Sequence, residues 1–445
     1  MSNKMPKTVE GVLKYVKDKD VRFIRIWFTD ILGQIKSFSI HRDELAGAFK
    51  EGMGFDGSSI AGFARIDESD MIAIPDPATF QLIPWRPKEK AVARMFCEVQ
   101  NPDGSPYMGD PRNALKRIIE KIKKKGYTFY LGPELEFFYF KNDKGTEVLD
   151  KGGYFDLTTL DAASDLRRDT VLTLEAMGIH VEYSHHEVAD SQHEIDLRYA
   201  DALSMADNVM TYRVAVKEIA TNHGCYATFM PKPLHGQNGN GMHVHQSLFK
   251  GKKNLFYDGK DEFHLSKMAK SYIAGILKHA AEITAVSNQW VNSYKRLVPG
   301  YEAPVYKAWA RRNRSALVRV PMYKPGKEVA TRIELRSPDP ACNPYLAFSM
   351  MLAAGLEGIE KGYKLEKPVE VDIFELSPKE KRKMGIDSLP GNLIQAVEAF
   401  EKSSIAKEAL GEHIFNNFIA NKKIEWDSYR SQVHPYELDK YLSIL

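Results

Sequence analysis

Leu131-Gly-Pro-Glu-Leu-Glu-Phe-Phe-Tyr-Phe140 reads as a β-strand, because aromatic and aliphatic residues dominate it and two carboxylates sit at alternate positions. Residues two apart on a strand share a face, so Glu134 and Glu136 lie side by side. Apolar residues around the pair predict a strand buried on both faces. Three further stretches repeat the pattern: Glu194-Ile-Asp-Leu-Arg198, Met242-His-Val-His-Gln-Ser247 and Thr331-Arg-Ile-Glu-Leu-Arg336. There His243, His245 and Ser247 line up, as do Arg332, Glu334 and Arg336. Faces of this kind can converge on one cavity. Carboxylates crowded there repel by roughly 4 kcal/mol per close pair at an intermediate dielectric. They must take up protons or hold cations.

Upstream, Thr8 caps a helix whose Val9, Val12, Leu13 and Val16 share a face. Strands are predicted over 21–28 and 34–40, a short helix over 42–49, and strands over 71–74 and 91–99. Together they form a small α+β unit. Asn101-Pro-Asp-Gly-Ser-Pro106 is the sharpest break in the chain and divides 1–104 from 105–445. Asp110-Pro111 then opens a helix in cap-then-proline order, with Leu115, Ile118, Ile119 and Ile122 as its core stripe. Beyond it, strands and helices alternate irregularly, which predicts an α+β class rather than a doubly wound sheet. The segment 387–445 reads as helical with a polar tail.

The 445 residues are 43% hydrophobic, ample for a large core, and carry a net charge of +3. So balanced a charge gives no reason to expect nucleic acid or an anionic membrane as partner. The basic runs at 121–125 and 379–383 fit solvated faces. Three widely separated cysteines form no CxxC pair. Neither a disulfide framework nor a zinc site is suggested, and a cytoplasmic location is expected. The first seven residues hold no apolar signal region. The most apolar helical stretch, 345–355, is too short to cross a bilayer and reads as a buried helix.

Glu134, Glu136, Glu187, Glu194 and Glu334, with His243, form an oxygen-rich set suited to Mg2+ or Mn2+. Any one of them alone reads more readily as a solvent-facing carboxylate or a satisfied histidine. The Glu-x-Glu between aromatic residues strengthens the metal reading. Arg296, Arg311, Arg312, Arg314, Arg319, Arg332 and Arg336 supply forks for carboxylate or phosphate oxygens, with a surface patch as the plain alternative. Arg311, Arg312 and Arg314 cannot all face one way, so at least one is surface or structural. Acidic ligands together with arginines suit phosphoryl transfer, although the chain has no P-loop. The run His235-Gly-Gln-Asn-Gly-Asn-Gly241 permits close approach to a ligand, or is an ordinary hairpin turn. Asn292-Ser-Tyr-Lys-Arg-Leu-Val-Pro-Gly-Tyr-Glu-Ala-Pro304 reads as a lid carrying Glu302, or as a plain surface connection. Gly54-Phe-Asp-Gly-Ser-Ser59 is a tight turn exposing Asp56, structural on local chemistry alone.

Taken in order, these motifs resemble those of the type I glutamine synthetases of bacteria and archaea over essentially the whole chain. The markers are Phe-Asp-Gly-Ser-Ser from 55, Gly-Pro-Glu-Leu-Glu-Phe from 132 and Glu187-Val-Ala-Asp-Ser-Gln-His-Glu194. Asn-Gly-Asn-Gly-Met-His-Val-His from 238, the 292–304 segment, Arg-Asn-Arg-Ser from 312 and Arg-Ile-Glu-Leu-Arg-Ser-Pro-Asp from 332 complete them. The resemblance implies a small β-grasp-like N-terminal domain and a larger catalytic domain with a curved antiparallel sheet flanked by helices. It implies ATP-dependent ligation of ammonia to L-glutamate through γ-glutamyl phosphate.

By position, Glu136, Glu187 and Glu194 would hold one Mg2+ or Mn2+, and Glu134, His243 and Glu334 another. Asn238 and Gly239 would bind glutamate's amino group, Arg296 its α-carboxylate, and Arg336 its γ-carboxylate and the phosphoryl group. Arg314, Arg319, Arg332 and His245 would serve the ATP phosphates, with Ser247 near the base. Glu302 would take a proton during ammonia attack. Asp56, from a neighbouring subunit, would bind and deprotonate ammonium. A homo-oligomer, a dodecamer of two stacked hexamers, is implied. Phe374 stands where one subgroup has a tyrosine that is adenylylated, so that control is expected to be absent. The chain resembles the shorter subgroup, controlled by small effectors such as glutamine or 2-oxoglutarate, with Arg65 at the feedback-related position. A nitrogen-regulatory protein partner stays open. So do two rivals: a γ-glutamyl ligase using another amine, and a non-catalytic ring-forming regulator.

Overall fold

The computed structural model describes residues 5–58, 60, 70–301 and 303–445. Thr8 caps the first helix, Val9–Asp18, its hydroxyl accepting from the Gly11 N–H at 3.2 Å. Behind that helix lies a mixed sheet. Phe23–Thr29 pairs antiparallel with Ile35–His41 and parallel with Val92–Gln100. Asp70–Pro75 pairs with Val92–Gln100 on the other side, and Met53–Asp56 forms the far edge. Val12, Val16, Ile24, Ile26, Met95 and Cys97 fill its core. This is the β-grasp domain, its sheet crossed by the helices Val9–Asp18 and Leu45–Glu51.

Asp110 caps the next helix, Pro111–Lys123, by accepting from the Arg112 N–H at 2.9 Å. The strand Tyr127–Phe140 follows and becomes the central member of a ten-stranded curved sheet. Its neighbours are Met242–Lys250 on one side and Gln192–Leu197 on the other, both antiparallel. Val181–His186 lies outside Gln192–Leu197, and Ile333–Leu335 outside Met242–Lys250. Ala316–Arg319 comes next, and Tyr306–Ala310, pairing in parallel, closes that side. The two-residue period sorts the central strand. Phe129, Leu131, Leu135, Phe137 and Tyr139 enter the main core, which also contains residues of the helices Ala202–Asn222 and Pro344–Lys361. Glu134 and Glu136 turn to the opposite, concave face. The 345–355 segment lies within that buried helix, as its composition predicts. No described helix is long and apolar enough to cross a membrane.

The two units lock through a hairpin tip. Asn343 donates to the carbonyls of Asp30 and Ile31 at 3.1 and 3.2 Å, and Gln289 donates to that of Leu32 at 2.7 Å. Gly33 completes the turn at φ +77°, where a β-carbon would stand 2.9 Å from the Asn343 Cα. Only glycine fits there. Nearby, buried Arg112 bridges Asp207 at 3.0 Å and Asp76 at 2.8 Å.

Two expectations need correction. The strand expected over 331–336 pairs only at Ile333–Leu335. Arg332 and Arg336 flank it and reach sideways into the site. The end of the chain is helical, but its tail is not polar. After Pro435–Tyr441, Leu442, Ile444 and Leu445 are exposed.

Candidate active site

At one end of the concave face, Glu134 is gripped by two histidines. The Arg332 Nε–H donates to His245 Nδ1 at 3.2 Å, which leaves the His245 proton on Nε2, donating to Glu134 Oε1 at 2.7 Å. His243 Nδ1 stands 3.2 Å from Glu134 Oε2 and 3.8 Å from Glu334 Oε1. The register explains the meeting, since His243 is paired across from Glu134 and His245 from Glu334. Burial opposes ionisation of Glu134, but the hydrogen bonds of both histidines outweigh it and hold the carboxyl below its ordinary range. Glu334 is fully buried and likewise held low: Arg336 first, then the histidines and Arg319, outweigh burial. Burial, then the Arg336 charge, keep His243 low and therefore neutral, the form that ligates a metal.

At the other end, Glu136 is paired across from Glu194. Its Oε2 accepts from the Gly241 N–H at 2.8 Å and from Gln192 Nε2 at 2.9 Å. Burial, then the charge of Glu187, push Glu136 up to about 8. Burial and three neighbouring carboxylates also drive Glu194 well up. His185, Glu187 and Glu194 offer ligand atoms within 4.8 Å of one another, as do Glu134, His243 and Glu334. Oxygen-rich donors with one imidazole fit a hard divalent cation at each end. The raised carboxyls show that this crowding calls for positive charge.

Asp150, His186 and His193 form a third group of similar spacing. It is a structural network instead. Arg167 donates into His193 Nδ1 at 2.8 Å while bonded twice to Asp161. Asp150 takes His186 Nε2 at 2.9 Å. The network backs the strands that lead into Glu187 and carry Glu194.

Three cavities share these walls. One of about 460 Å³ runs between the two clusters and is also lined by Arg314, Arg319 and Arg336. A second, of about 430 Å³, opens beside His245, Ser247 and Arg332. There Tyr199 and Phe249 meet Tyr130 edge-on at 5.6 and 5.1 Å, an apolar platform suited to a planar base. The third, about 40 Å³, is lined by Asn238, Gly239, Arg296 and Tyr301 together with Glu136 and Arg336. Gly239 and Gly241 are required here. β-Carbons would stand 2.3 Å from the Pro231 carbonyl and 2.6 Å from the Arg296 guanidinium. Arg296 is fixed by the carbonyls of Ser337 at 2.7 Å and Arg336 at 3.3 Å.

Every expected metal position thus lines the concave face, as do the expected arginines save Arg311 and Arg312. Those two donate backbone N–H groups to Glu370 on the outside. Asp56 lines none of these cavities. It ends the edge strand of the N-terminal sheet, exposed, accepting from the Ser58 N–H at 2.8 Å. Glu302 and Arg65 lie outside the described residues. Sequence reasoning missed His185, Gln192 and the aromatic platform. His185 had a signal, since it sits two residues before Glu187. The platform had none, because Tyr130, Tyr199 and Phe249 meet only through strand register.

A family model described as glutamine synthetase, catalytic domain, matches residues 108–441, and one described as glutamine synthetase, beta-Grasp domain, matches residues 20–102. The chain is 55% identical to the glutamine synthetase of Mycolicibacterium smegmatis, across 99% of this chain and 100% of that one. It is also 55% identical to the glutamine synthetase of Methanosarcina mazei, across 98% of each. A solved structure described as GmaS in complex with ADP is similar at a TM-score of 0.89 and 32% identity, covering 97% of this chain and 99% of that one. The Plasmodium falciparum glutamine synthetase, solved by cryo-EM, gives 0.89 at 27% identity, with 99% and 100% covered.

Proposed function

The chain belongs to the glutamine synthetase family, and on that premise we propose how its residues ligate ammonia to L-glutamate. It is a glutamate–ammonia ligase that cleaves ATP and forms glutamine, ADP and phosphate. Relatives named for that activity, at 50–55% identity over nearly the full chain, favour it over a ligase for another amine. All six expected metal positions are present, which sets aside a purely non-catalytic regulator.

Glu134, His243 and Glu334 hold one Mg2+ or Mn2+, and Glu136, Glu187 and Glu194 the other. The donor chemistry supports both, and the raised carboxyls of Glu136 and Glu194 support the second. When bound, the cations neutralise charge on the phosphoryl group being transferred. The aromatic platform and Ser247 receive the base, and His245 and Arg332 the phosphates. Arg314 and Arg319 reach the γ-phosphoryl group. Asn238 and Gly239 take glutamate's amino group, Arg296 its α-carboxylate and Arg336 its γ-carboxylate. That carboxylate attacks the γ-phosphorus as ADP leaves, giving γ-glutamyl phosphate. Ammonia then attacks the acyl carbon, phosphate leaves, and Glu302 accepts the proton shed by the new amide nitrogen. Closure of the 299–304 segment keeps water away.

Asp56 serves the site of a neighbouring subunit, binding ammonium and deprotonating it. Its exposure at a strand end supports that delivery. We assign the assembly as a dodecamer of two hexameric rings in the cytosol, and three unpaired cysteines fit a reducing compartment. The domain division at 104/105 is supported by the turn between Val92–Gln100 and Pro111–Lys123. Control by glutamine or 2-oxoglutarate near Arg65 completes the reading.

One observation carries it: two acidic clusters, Glu134–His243–Glu334 and His185–Glu187–Glu194, stand on one sheet and share the walls of a cavity also lined by three arginines. The test is phosphate release that requires glutamate, ammonium, ATP and Mg2+ together. Release that persists without glutamate would refute it.

A further inference from the structure

Two of the segments that line the glutamate cavity meet at one lysine. The Lys232 backbone N–H donates to Asn292 Oδ1 at 2.7 Å, and its carbonyl accepts from Asn292 Nδ2 at 3.1 Å. Asn292 begins the segment that ends at Pro304. The Lys232 ammonium donates to the carbonyl of Gln237, in the glycine-rich loop. The same ammonium lies over the Tyr301 ring, 3.9 Å from its centroid. Beside it, the Pro231 carbonyl accepts from the Asn240 N–H at 2.8 Å. Tyr301 lines the cavity formed by Asn238, Gly239 and Arg296.

We propose that Lys232 is a positioning residue, a latch that holds Tyr301 and the glycine-rich loop together over the glutamate cavity. This rests on the reading of the 299–304 segment as the cover of that cavity. A cation over an aromatic face is attracted by the ring quadrupole, and more strongly once partly desolvated. Without the latch the covered state loses population. Water then attacks the acyl phosphate, returning glutamate and releasing phosphate, so ATP is consumed without forming glutamine.

The experiment measures ATP cleaved per glutamine formed in the assembled full-length enzyme. For Lys232→Met and Tyr301→Leu the ratio is expected to rise about fivefold, the population shift of one such contact. Lys232→Arg restores coupling, because a guanidinium also stacks on the ring. KM for ATP stays at the parent value, since the base pocket is remote from the latch. Parent-like coupling in both Lys232→Met and Tyr301→Leu overturns the proposal. If Lys232→Met fails to fold, Tyr301→Leu decides alone. Replacing Pro299 and Pro304 with glycine, which loosens the segment and keeps Glu302, separates the two ideas. Uncoupling there but not in the latch variants sinks only the latch, whereas full coupling there sinks the cover reading itself.

Discussion

Glu134 and Glu136 stand two residues apart on one strand, yet their carboxyls are driven in opposite directions. At Glu134, hydrogen bonds from His243 and His245 outweigh burial. At Glu136, burial and then Glu187 push the carboxyl up to about 8. One strand face therefore presents a charged carboxylate beside a proton-holding carboxyl.

Cation binding at the Glu136 end is expected to release a proton near neutral pH. Ligation needs the carboxylate, and a group titrating at about 8 still holds its proton one unit lower. Affinity for Mn2+ there should rise about tenfold per pH unit and level off above about pH 8. Calorimetric titration in buffers of different ionisation enthalpy reads the proton directly. A pH-independent affinity with no proton released would exclude the assignment.

Glu334 pairs with Arg319 at 3.1 Å and Arg336 at 2.5 Å while fully buried. Glu334→Ala removes a ligand and strands a buried guanidinium, which destabilises by about 3–5 kcal/mol. It should abolish turnover and lower Tm. Glu334→Gln keeps the shape and should recover most of the Tm but none of the turnover. Scanning calorimetry beside phosphate release separates the two effects, and an active Glu334→Gln would deny the ligand role.

Asp56→Ala is expected to lower kcat/KM for ammonium about 10²-fold while sparing KM for glutamate and ATP. Mixed oligomers of Asp56→Ala with Glu334→Gln should regain activity, because some sites then combine an intact Asp56 with an intact Glu334 from different subunits. No recovery on mixing would mean that each site is complete within one chain.

His279 gives a pH effect away from the site. Its Nδ1 lies 2.9 Å from Glu282, and its Nε2 bonds Glu357. Burial alone would lower its pKa, but Glu282 and Glu357 outweigh it and raise the value above 6.5. A raised folded value stabilises fully below the unfolded pKa of about 6.5 and is lost as pH rises through the folded value. Tm should decline over that interval, and His279→Gln should flatten the decline. An equally steep fall in the variant would remove His279 as its source.

Four of the proposed metal ligands could be aligned from the sequence because they sit on strands, where a period of two fixes the face. Glu134, Glu136, His243 and Glu334 needed no tertiary knowledge to be aligned. The contact between Lys232 and Tyr301 and the aromatic platform were not legible in this way. Lys232 meets Tyr301, and Tyr130 meets Tyr199, only after distant segments fold together. Asp56 carries no local mark at all. The tail misled because its charges hide Leu442, Ile444 and Leu445, which stand exposed. Arg311 and Arg312 matched a pattern of charge, yet neither lines the three cavities, and the Arg311 guanidinium lies over Phe263 instead.

The Gly33 turn also sets an order of events. Its docking partners arrive late, for 312 residues separate Ile31 from Asn343. At about 5–20 residues per second, the ribosome delivers Asn343 roughly 15–60 s after the hairpin emerges. Through that interval the carbonyl of Ile31 has only water or a chaperone in place of Asn343. Stalled nascent chains shorter than 343 residues should therefore be cut by protease at this turn, and chains long enough to expose Asn343 outside the ribosome should resist.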